Sequence, residues 1–206
     1  MTTRNVETPH GRAHVHVHEA TKPPAALVLG HGAGGGVGAR DLVAATEAAL
    51  AVGLSVALVE QPYRVAGRRS PAPAHHLDAA WTAVVEHLRA DELRGLPLVV
   101  GGRSSGARVA CRTAAATGAV GVLCLAFPLQ PRRRSPPPAP SRLAELDGVT
   151  VPTLVIQGTR DVFGIPPAGA TRTVVQVESD HGLRTDLEAV AAAVQSWLAR
   201  IVAPLR

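Results

Sequence analysis

Strand-like and helix-like runs alternate through most of the chain, and this alternation limits the possible folds more than any other feature. Apolar runs typical of buried strands occur at residues 25–29, 55–60, 98–100, 120–127, 153–157 and 173–177. Runs with helical spacing of apolar residues occur at residues 41–51, 77–89, 106–117 and 186–202. This order predicts an α/β fold with a mostly parallel central sheet and helices on both faces. Ligands of such sheets bind at the carboxyl ends of the strands, where the glycine clusters of this chain lie.

We expect one domain spanning residues 1–206. The length suits one domain, and 46% of the residues are hydrophobic, which is enough for a buried core. Residues 11–20 alternate in polarity and are predicted to form an antiparallel edge strand, within an N-terminal edge-strand region at residues 1–20. Residues 129–142 are rich in Pro, Arg and Ser and are predicted to form a surface loop, with the basic run at residues 132–134 in solvent.

Composition argues against several classes of partner. The chain has 21 basic and 16 acidic residues, but the arginines are scattered along it, so no nucleic-acid partner is expected. The five aromatic residues leave few platforms for stacking bases. The longest apolar stretch, residues 119–129, is too short to cross a bilayer, and no secretory signal is evident. We therefore expect a cytoplasmic protein without membrane contact. Its two cysteines, Cys111 and Cys124, provide no disulfide framework.

The strongest local signal is Gly102-Arg103-Ser104-Ser105-Gly106, which fits the pattern G-x-S-x-G. A predicted strand precedes it and a predicted helix follows it, as a nucleophile elbow requires. The turn is tight, so side chains two positions before and after the serine would collide, and glycine avoids this. Ser104 is therefore our candidate nucleophile.

A nucleophilic serine needs a base and an acid that orients the base. After Ser104 the chain contains a single histidine, His181, which follows the last predicted strand. Between them, Asp161 stands just after the strand-like run 153–157, and this position selects it over the other acidic residues. Asp180 adjoins His181 too closely to align with its imidazole. The candidate triad is Ser104, Asp161 and His181.

The glycine cluster after the first parallel strand has two interpretations. It can supply one oxyanion-hole N–H, from Ala33 or alternatively Gly32, with the other donated by Ser105. It also fits G-x-G-x-x-G, with Glu60 placed as a ribose-binding acid, which would indicate a Rossmann dinucleotide site. The second interpretation leaves the elbow, Asp161 and His181 unexplained. A P-loop is excluded because Lys22, the one lysine, precedes the loop.

His14, His16 and His18 alternate along the N-terminal strand and therefore face one side. Such a row can bind a transition metal, but no cysteine or second histidine cluster completes a site. We interpret the row as the half-exposed face of an edge strand. No metal or organic cofactor is expected.

With these residues in place, the chain resembles the α/β-hydrolase superfamily over nearly its whole length. The resemblance rests on the sequence His31-Gly32-Ala33-Gly34-Gly35, the elbow, the segment 158–161 and Asp180-His181-Gly182. It is strongest to a small branch without a lid, near dienelactone hydrolases and the testis-expressed type of predicted hydrolases, in which a similar Phe-Pro-Leu also recurs. The resemblance implies a single α/β-hydrolase domain with a minimal lid or none and the same triad. Dienelactone hydrolases proper use cysteine where this chain has Ser104, so their substrate is not carried over.

The expected activity is hydrolysis of a small-molecule ester, thioester or related acyl bond through an acyl-enzyme on Ser104. Tyr63, Phe127 and Phe163 follow predicted strands and are candidates for lining the substrate pocket. Arg64 and Arg103 are candidates for favouring an anionic substrate. The alternative of another class is a catalytically silent module that uses the same fold for interactions. A filled triad argues against it, because a silent module does not need all three residues.

Overall fold

The chain folds into an eight-stranded sheet with helices on both faces. The computed structural model describes residues 1–131 and 139–205, so the basic run at residues 132–134 and part of the predicted loop 129–142 lie outside the described residues. The strands are β1 (Thr2–Thr8), β2 (Gly11–His18), β3 (Ala26–Gly30), β4 (Ser55–Glu60), β5 (Leu98–Arg103), β6 (Gly121–Leu125), β7 (Thr153–Gly158) and β8 (Arg172–Val177). The helices are α1 (Arg40–Ala51), α2 (Pro62–Val65), α3 (Ala74–Ala90), α4 (Ser105–Thr113), α5 (Leu143–Asp147) and α6 (Leu187–Val202), followed by a 3₁₀ turn at Ala203–Leu205.

The strand order is β1-β2-β4-β3-β5-β6-β7-β8. The pairs β1–β2 and β2–β4 are antiparallel and every later pair is parallel, which confirms the mostly parallel sheet. The edge position was predicted wrongly, because β2 lies inside the sheet and β1 forms the edge. In β1 only Val6 is buried, so its polar sequence carries no alternation that would identify a strand.

Two hydrophobic clusters, one on each face of the sheet, explain why the parallel strands are continuous apolar runs. In β3, Val28 points into the cluster that contains Trp81 of α3, and Leu29 points into the cluster with α1 and α6. A strand that alternates between two covered faces needs apolar side chains at every position. Burial of this kind contributes about 25 cal/mol per Å² of apolar surface. Both faces of the sheet are therefore covered by packed side chains, so ligand binding is expected at the edges of the sheet.

Cys111 and Cys124 lie in α4 and β6, the helix and the strand predicted for them. Both are buried, and their Sγ atoms are 3.5 Å apart without a disulfide bond. Within residues 1–131 and 139–205, no helix is long and apolar enough to span a membrane.

Candidate active site

Ser104 lies at a sharp turn between β5 and α4. Its backbone angles, φ 51° and ψ −105°, fall in a region that non-glycine residues rarely adopt, which indicates stored strain. The N–H of Ser104 donates a hydrogen bond to the carbonyl oxygen of Leu125, 2.8 Å away at the end of β6. The neighbouring strand thus holds the strained residue in place.

The glycines on either side of Ser104 are required by close backbone packing. A Cβ on Gly102 would lie 2.5 Å from the carbonyl oxygen of Gly30 in β3 and 2.8 Å from the carbonyl carbon of Gly106. A Cβ on Gly106 would collide with the same oxygen of Gly30. The elbow, residues 102–106, therefore packs directly against the end of β3, as the crowding argument predicted.

The structure brings Ser104, His181 and Asp161 into one hydrogen-bonded chain. Ser104 Oγ lies 3.0 Å from His181 Nε2, and His181 Nδ1 lies 2.8 Å from Asp161 Oδ2. Because a carboxylate accepts, Nδ1–H donates to Asp161 and Nε2 is left to accept the serine proton. The residues come from three separate loops, after β5, β7 and β8, which meet at the carboxyl edge of the sheet.

Asp161 is fixed by more than the histidine. Its side chain is fully buried, and Oδ2 also accepts a hydrogen bond from Gln157 Nε2 at 2.7 Å. Oδ1 accepts from the N–H of Phe163 at 2.9 Å. The amide of Gln157 is itself held by the carbonyl oxygens of Phe127 and Gly164, both at 3.0 Å. Gln157 was not among the predicted site residues, although a glutamine ending an apolar strand-like run is a signal that could have identified it.

The loop that carries His181, residues 178–186, packs closely on the end of β7. A Cβ on Gly158 would lie 2.5 Å from the carbonyl oxygen of Ser179 and would collide with that of Asp180. The ring of Phe163 lies against the imidazole of His181, with ring centroids 4.5 Å apart. Phe163, predicted as a substrate contact, thus lies at the candidate site.

The first glycine loop, residues 31–39, joins β3 to α1 and passes beside Ser104. A Cβ on Gly32 would lie 3.7 Å from the Cβ of Ser104. Nδ1–H of His31 donates to the carbonyl oxygen of Gly32 at 2.8 Å, and Nε2 accepts from the N–H of Gln61 at 3.1 Å. Burial lowers the pKa of His31 and favours the neutral ring that this pattern requires.

The candidate oxyanion donors lie on this loop and at the start of α4. The hydroxyl of Tyr63 donates to the carbonyl oxygen of Ala33 at 2.9 Å, and burial raises the pKa of Tyr63 to about 12. Within the described part of the chain, the N–H groups of Gly32, Ala33 and Ser105 have no acceptor. These groups are therefore available to a ligand, and their role as an oxyanion hole stays a prediction.

Arg103 joins the start of α1 to the loop that carries His181. Its Nε lies 3.0 Å from Oδ2 of Asp41 in α1, and its second guanidinium nitrogen donates to the carbonyl oxygen of His181 at 2.9 Å. Asp41 is fully buried, and this burial raises its pKa against the opposing effect of Arg103. Arg103 was predicted to contact an anionic substrate; its guanidinium is largely engaged in these two contacts.

Three other predicted substrate contacts differ from expectation. Phe127 is completely buried in the core, because the chain turns at Ala126, whose φ is 51°, directly after β6. The prediction that it lines the pocket is wrong. Tyr63 is nearly buried and supports the first glycine loop. Arg64 lies on α2 with its guanidinium 3.5 Å from the carbonyl oxygen of Arg68. Within the described residues, it does not line the cleft formed by residues 34–36 and 38–41 with Arg103, Gly182 and Arg184.

His14, His16 and His18 share one partly exposed face of β2, as predicted. Oε2 of Glu60 lies 3.9 Å from His14 Nδ1 and 3.5 Å from His16 Nε2. No group of three or more His, Cys, Asp or Glu residues in the described ranges is placed to hold a metal ion.

The dinucleotide-site interpretation requires Glu60 as a ribose-binding acid and a helix directly after the glycines. Glu60 lies beside His14 and His16, and α1 begins at Arg40, five residues beyond Gly35. A dinucleotide site needs its glycines to open directly into a helix, which disfavours that interpretation.

Comparison with known proteins agrees with this architecture. A family model described as alpha/beta hydrolase domain matches residues 23–187. A search of curated protein sequences finds no match. The fold is similar to XC6422 from Xanthomonas campestris, a serine hydrolase without a lid, at 22% identity over 97% of this chain and 94% of that chain, with a TM-score of 0.73.

Two further solved structures share the fold. Est1E from Butyrivibrio proteoclasticus is 16% identical over 98% of this chain and 100% of that chain, with a TM-score of 0.78. A dienelactone hydrolase from Anabaena variabilis is 17% identical over 97% of this chain and 96% of that chain, with a TM-score of 0.74. At these identities the likeness describes the fold alone.

Proposed function

This chain belongs to the alpha/beta hydrolase domain family, and on that premise we propose that it is a serine hydrolase that cleaves a small-molecule ester, thioester or related acyl bond. The observation that carries the proposal is the chain of hydrogen bonds from Ser104 Oγ to His181 Nε2, at 3.0 Å, and from His181 Nδ1 to Asp161 Oδ2, at 2.8 Å. The three residues come from separate loops, and the packing of the sheet and helices does not by itself require them to meet in this order.

In the proposed reaction His181 is the general base and then the general acid. Nε2 takes the Ser104 proton as Oγ attacks the acyl carbon, and it returns that proton to the leaving group. Asp161 keeps the proton on Nδ1 and stabilises the imidazolium that forms. Gln157 supports this role, because it donates to the Asp161 oxygen that faces His181. A water molecule activated by His181 then hydrolyses the acyl-enzyme.

The negative oxygen that forms during attack needs fixed donors beside Ser104. We assign the N–H of Ser105, at the N-terminus of α4, and the N–H of Ala33, with Gly32 as the alternative on the same loop. Tyr63 and His31 hold the carbonyl groups of this loop, so its amides are positioned before substrate arrives. Losing one such donor typically costs roughly 10²–10³ in turnover.

The test is the pre-steady-state hydrolysis of 4-nitrophenyl acetate. We expect a burst of 4-nitrophenol close to one equivalent of enzyme, because acylation of Ser104 releases it before deacylation. Ser104→Ala and His181→Ala should abolish the burst, and Ser196→Ala, an exposed serine of α6, should retain it. A burst that survives Ser104→Ala would contradict the proposal.

A further inference from the structure

We propose that the cleft beside the triad is a subsite for an anionic group, so that the substrate is an acyl ester carrying a carboxylate or phosphate. The cleft has a volume of about 610 Å³. One wall is formed by residues 34–36 and 38–41, and the other includes Arg103, Gly182 and Arg184. It therefore lies between the first glycine loop with the start of α1 and the chain neighbours of Ser104 and His181. The inference rests on the proposed function of Ser104.

The glycines of this wall have no explanation within the fold. A Cβ added to Gly34, Gly35 or Gly38 would meet nothing within 4 Å, and one on Gly36 would make only an ordinary contact with Glu60. None of these four glycines has the positive φ that favours glycine. Neither packing nor backbone geometry requires them, and their effect is to leave this stretch of backbone uncovered by side chains. The N–H of Gly35 is itself paired with the carbonyl oxygen of Gly32 at 3.2 Å. A ligand that approaches the backbone closely gives a reason for their presence.

The charged side chains of the cleft are predominantly basic. Three arginines line it, and within the described ranges its only carboxylate is that of Asp41. Asp41 is buried and paired with Arg103, so it does not neutralise the others. Arg40 and Arg184 are exposed, and no carboxylate in the described part of the chain pairs with either. Asp180 accepts from the N–H of Gly182 at 2.7 Å. A Cβ on Gly182 would lie 2.9 Å from both Asp180 Oδ1 and Arg184 Nε, so this carboxylate lies near Arg184 without forming an ion pair with it, and it does not line the cleft.

The loop that carries Phe163 is separate from the cleft lining and has a different character. Phe163 packs on the imidazole of His181, and Val162 and Ile165 of the same loop are 59% and 37% exposed. Apolar parts of a substrate are favoured beside this loop, and an anionic group is favoured in the cleft. The guanidinium group of arginine matches the geometry of carboxylate and phosphate oxygens.

Two matched pairs of esters test the subsite. The first compares mono-4-nitrophenyl succinate with its methyl ester, which places the anion on the acyl side. The second compares 4-acetoxybenzoate with methyl 4-acetoxybenzoate, which places it on the leaving group. In the variant R40A/R184A we expect the ratio of kcat/KM for the anionic ester to that for its neutral partner to fall roughly tenfold in at least one pair. The control R69A/R200A removes the same charge elsewhere and should keep the wild-type ratio.

A phosphate source is separated from a carboxylate source by competition. Inorganic phosphate and succinate are each tested as inhibitors of methyl 4-acetoxybenzoate hydrolysis, and the anion that inhibits wild type more strongly than R40A/R184A identifies the preferred group. If R40A/R184A keeps the wild-type ratio of kcat/KM between the anionic and the neutral ester in both pairs, the inference is overturned, because the arginines then do not bind the anion.

A binding measurement distinguishes this failure from failure of the proposed function. In S104A, which cannot form an acyl-enzyme, mono-4-nitrophenyl succinate should bind roughly tenfold more tightly than it binds the triple variant S104A/R40A/R184A. Equal affinities would overturn the subsite whatever Ser104 does. The wild-type protein can give no burst while S104A still binds the ester more tightly than S104A/R40A/R184A does. That result would overturn the function of Ser104 and leave the anion subsite in place.

Discussion

Two glycine-rich turns follow neighbouring parallel strands, and their glycines serve different purposes. In the elbow, Gly102 and Gly106 pack so closely against Gly30 that a Cβ on either would overlap backbone atoms. In the first glycine loop, Gly34, Gly35 and Gly38 have open space around them. The first set is explained by the packing of the folded chain, whereas the second has no such explanation and is accounted for by the proposed anion subsite.

The two turns are also held in their conformations by different interactions. The elbow holds a strained residue, Ser104, between a strand and a helix that are both buried. The first glycine loop depends on hydrogen bonds from two side chains, His31 and Tyr63, to its carbonyl oxygens. A close-packed turn has one geometry, and a turn held by a few hydrogen bonds can adjust to a ligand. Four predictions test this difference, in order of decreasing effect.

The largest effect is expected from alanine at the glycines themselves. Gly106→Ala should lower the free energy of unfolding by about 3 kcal/mol, because its Cβ would overlap the Gly30 carbonyl. Gly35→Ala should change it by less than about 1 kcal/mol, because nothing lies near its Cβ. Urea unfolding of both variants measures this. Equal losses would show that the two loops are packed alike.

The second effect is expected at Arg103, an elbow residue that contacts Asp41 at the start of α1 and the carbonyl oxygen of His181. Arg103→Met leaves the Asp41 carboxyl buried without its cation and should cost about 2 kcal/mol. The double variant with Asp41→Asn should recover about 1 kcal/mol of that loss, because the two residues interact. A double-mutant cycle by urea unfolding measures the coupling, and strictly additive losses would show that the contact contributes nothing.

The third prediction concerns the support of the first glycine loop. Tyr63→Phe removes the donor to the Ala33 carbonyl and should cost about 1 kcal/mol. Because burial raises the pKa of Tyr63 to about 12, this cost should be the same throughout pH 6 to 9. Thermal unfolding across that range provides the check. A cost that disappears at pH 9 would contradict the assigned hydrogen bond.

The smallest effect is expected from pH acting on His31. Its pKa is lowered from 6.5 by burial, so the unfolded chain binds the proton more readily than the folded chain does. The stability it contributes is therefore present above about pH 6.5 and is lost as the pH falls below that value. His31→Gln should flatten the dependence of unfolding free energy on pH between 5 and 6.5, and His87→Gln, at an exposed position on α3, should leave it unchanged. An unaltered slope in His31→Gln would argue against a buried neutral imidazole.

Much of the fold was predictable because parallel strands buried on both faces have a distinctive apolar sequence. β1 was missed for the opposite reason: a polar edge strand is specified by its partner β2, and pairing leaves no local pattern. Phe127 was assigned to the pocket from its position after a strand, but one positive φ at Ala126 directs the chain into the core. Single backbone angles of this kind are set by tertiary packing.

The residues of the candidate triad could be selected from order and position alone, since loops after neighbouring strands meet at one edge of a parallel sheet. Their supports could not. Gln157 donates hydrogen bonds to Asp161, four residues later, and to the carbonyl oxygen of Gly164. Arg103 is paired with Asp41, which lies 62 positions earlier in the chain. Such links depend on side-chain directions that a single sequence does not encode locally.

The central claim is an activated Ser104, and the most direct test is intact mass after exposure to a fluorophosphonate probe. We expect one covalent adduct on the wild-type protein and none on Ser104→Ala or His181→Ala, because the serine reacts only when the imidazole removes its proton. A folded wild-type protein that forms no adduct, or an adduct that persists in Ser104→Ala, would contradict it.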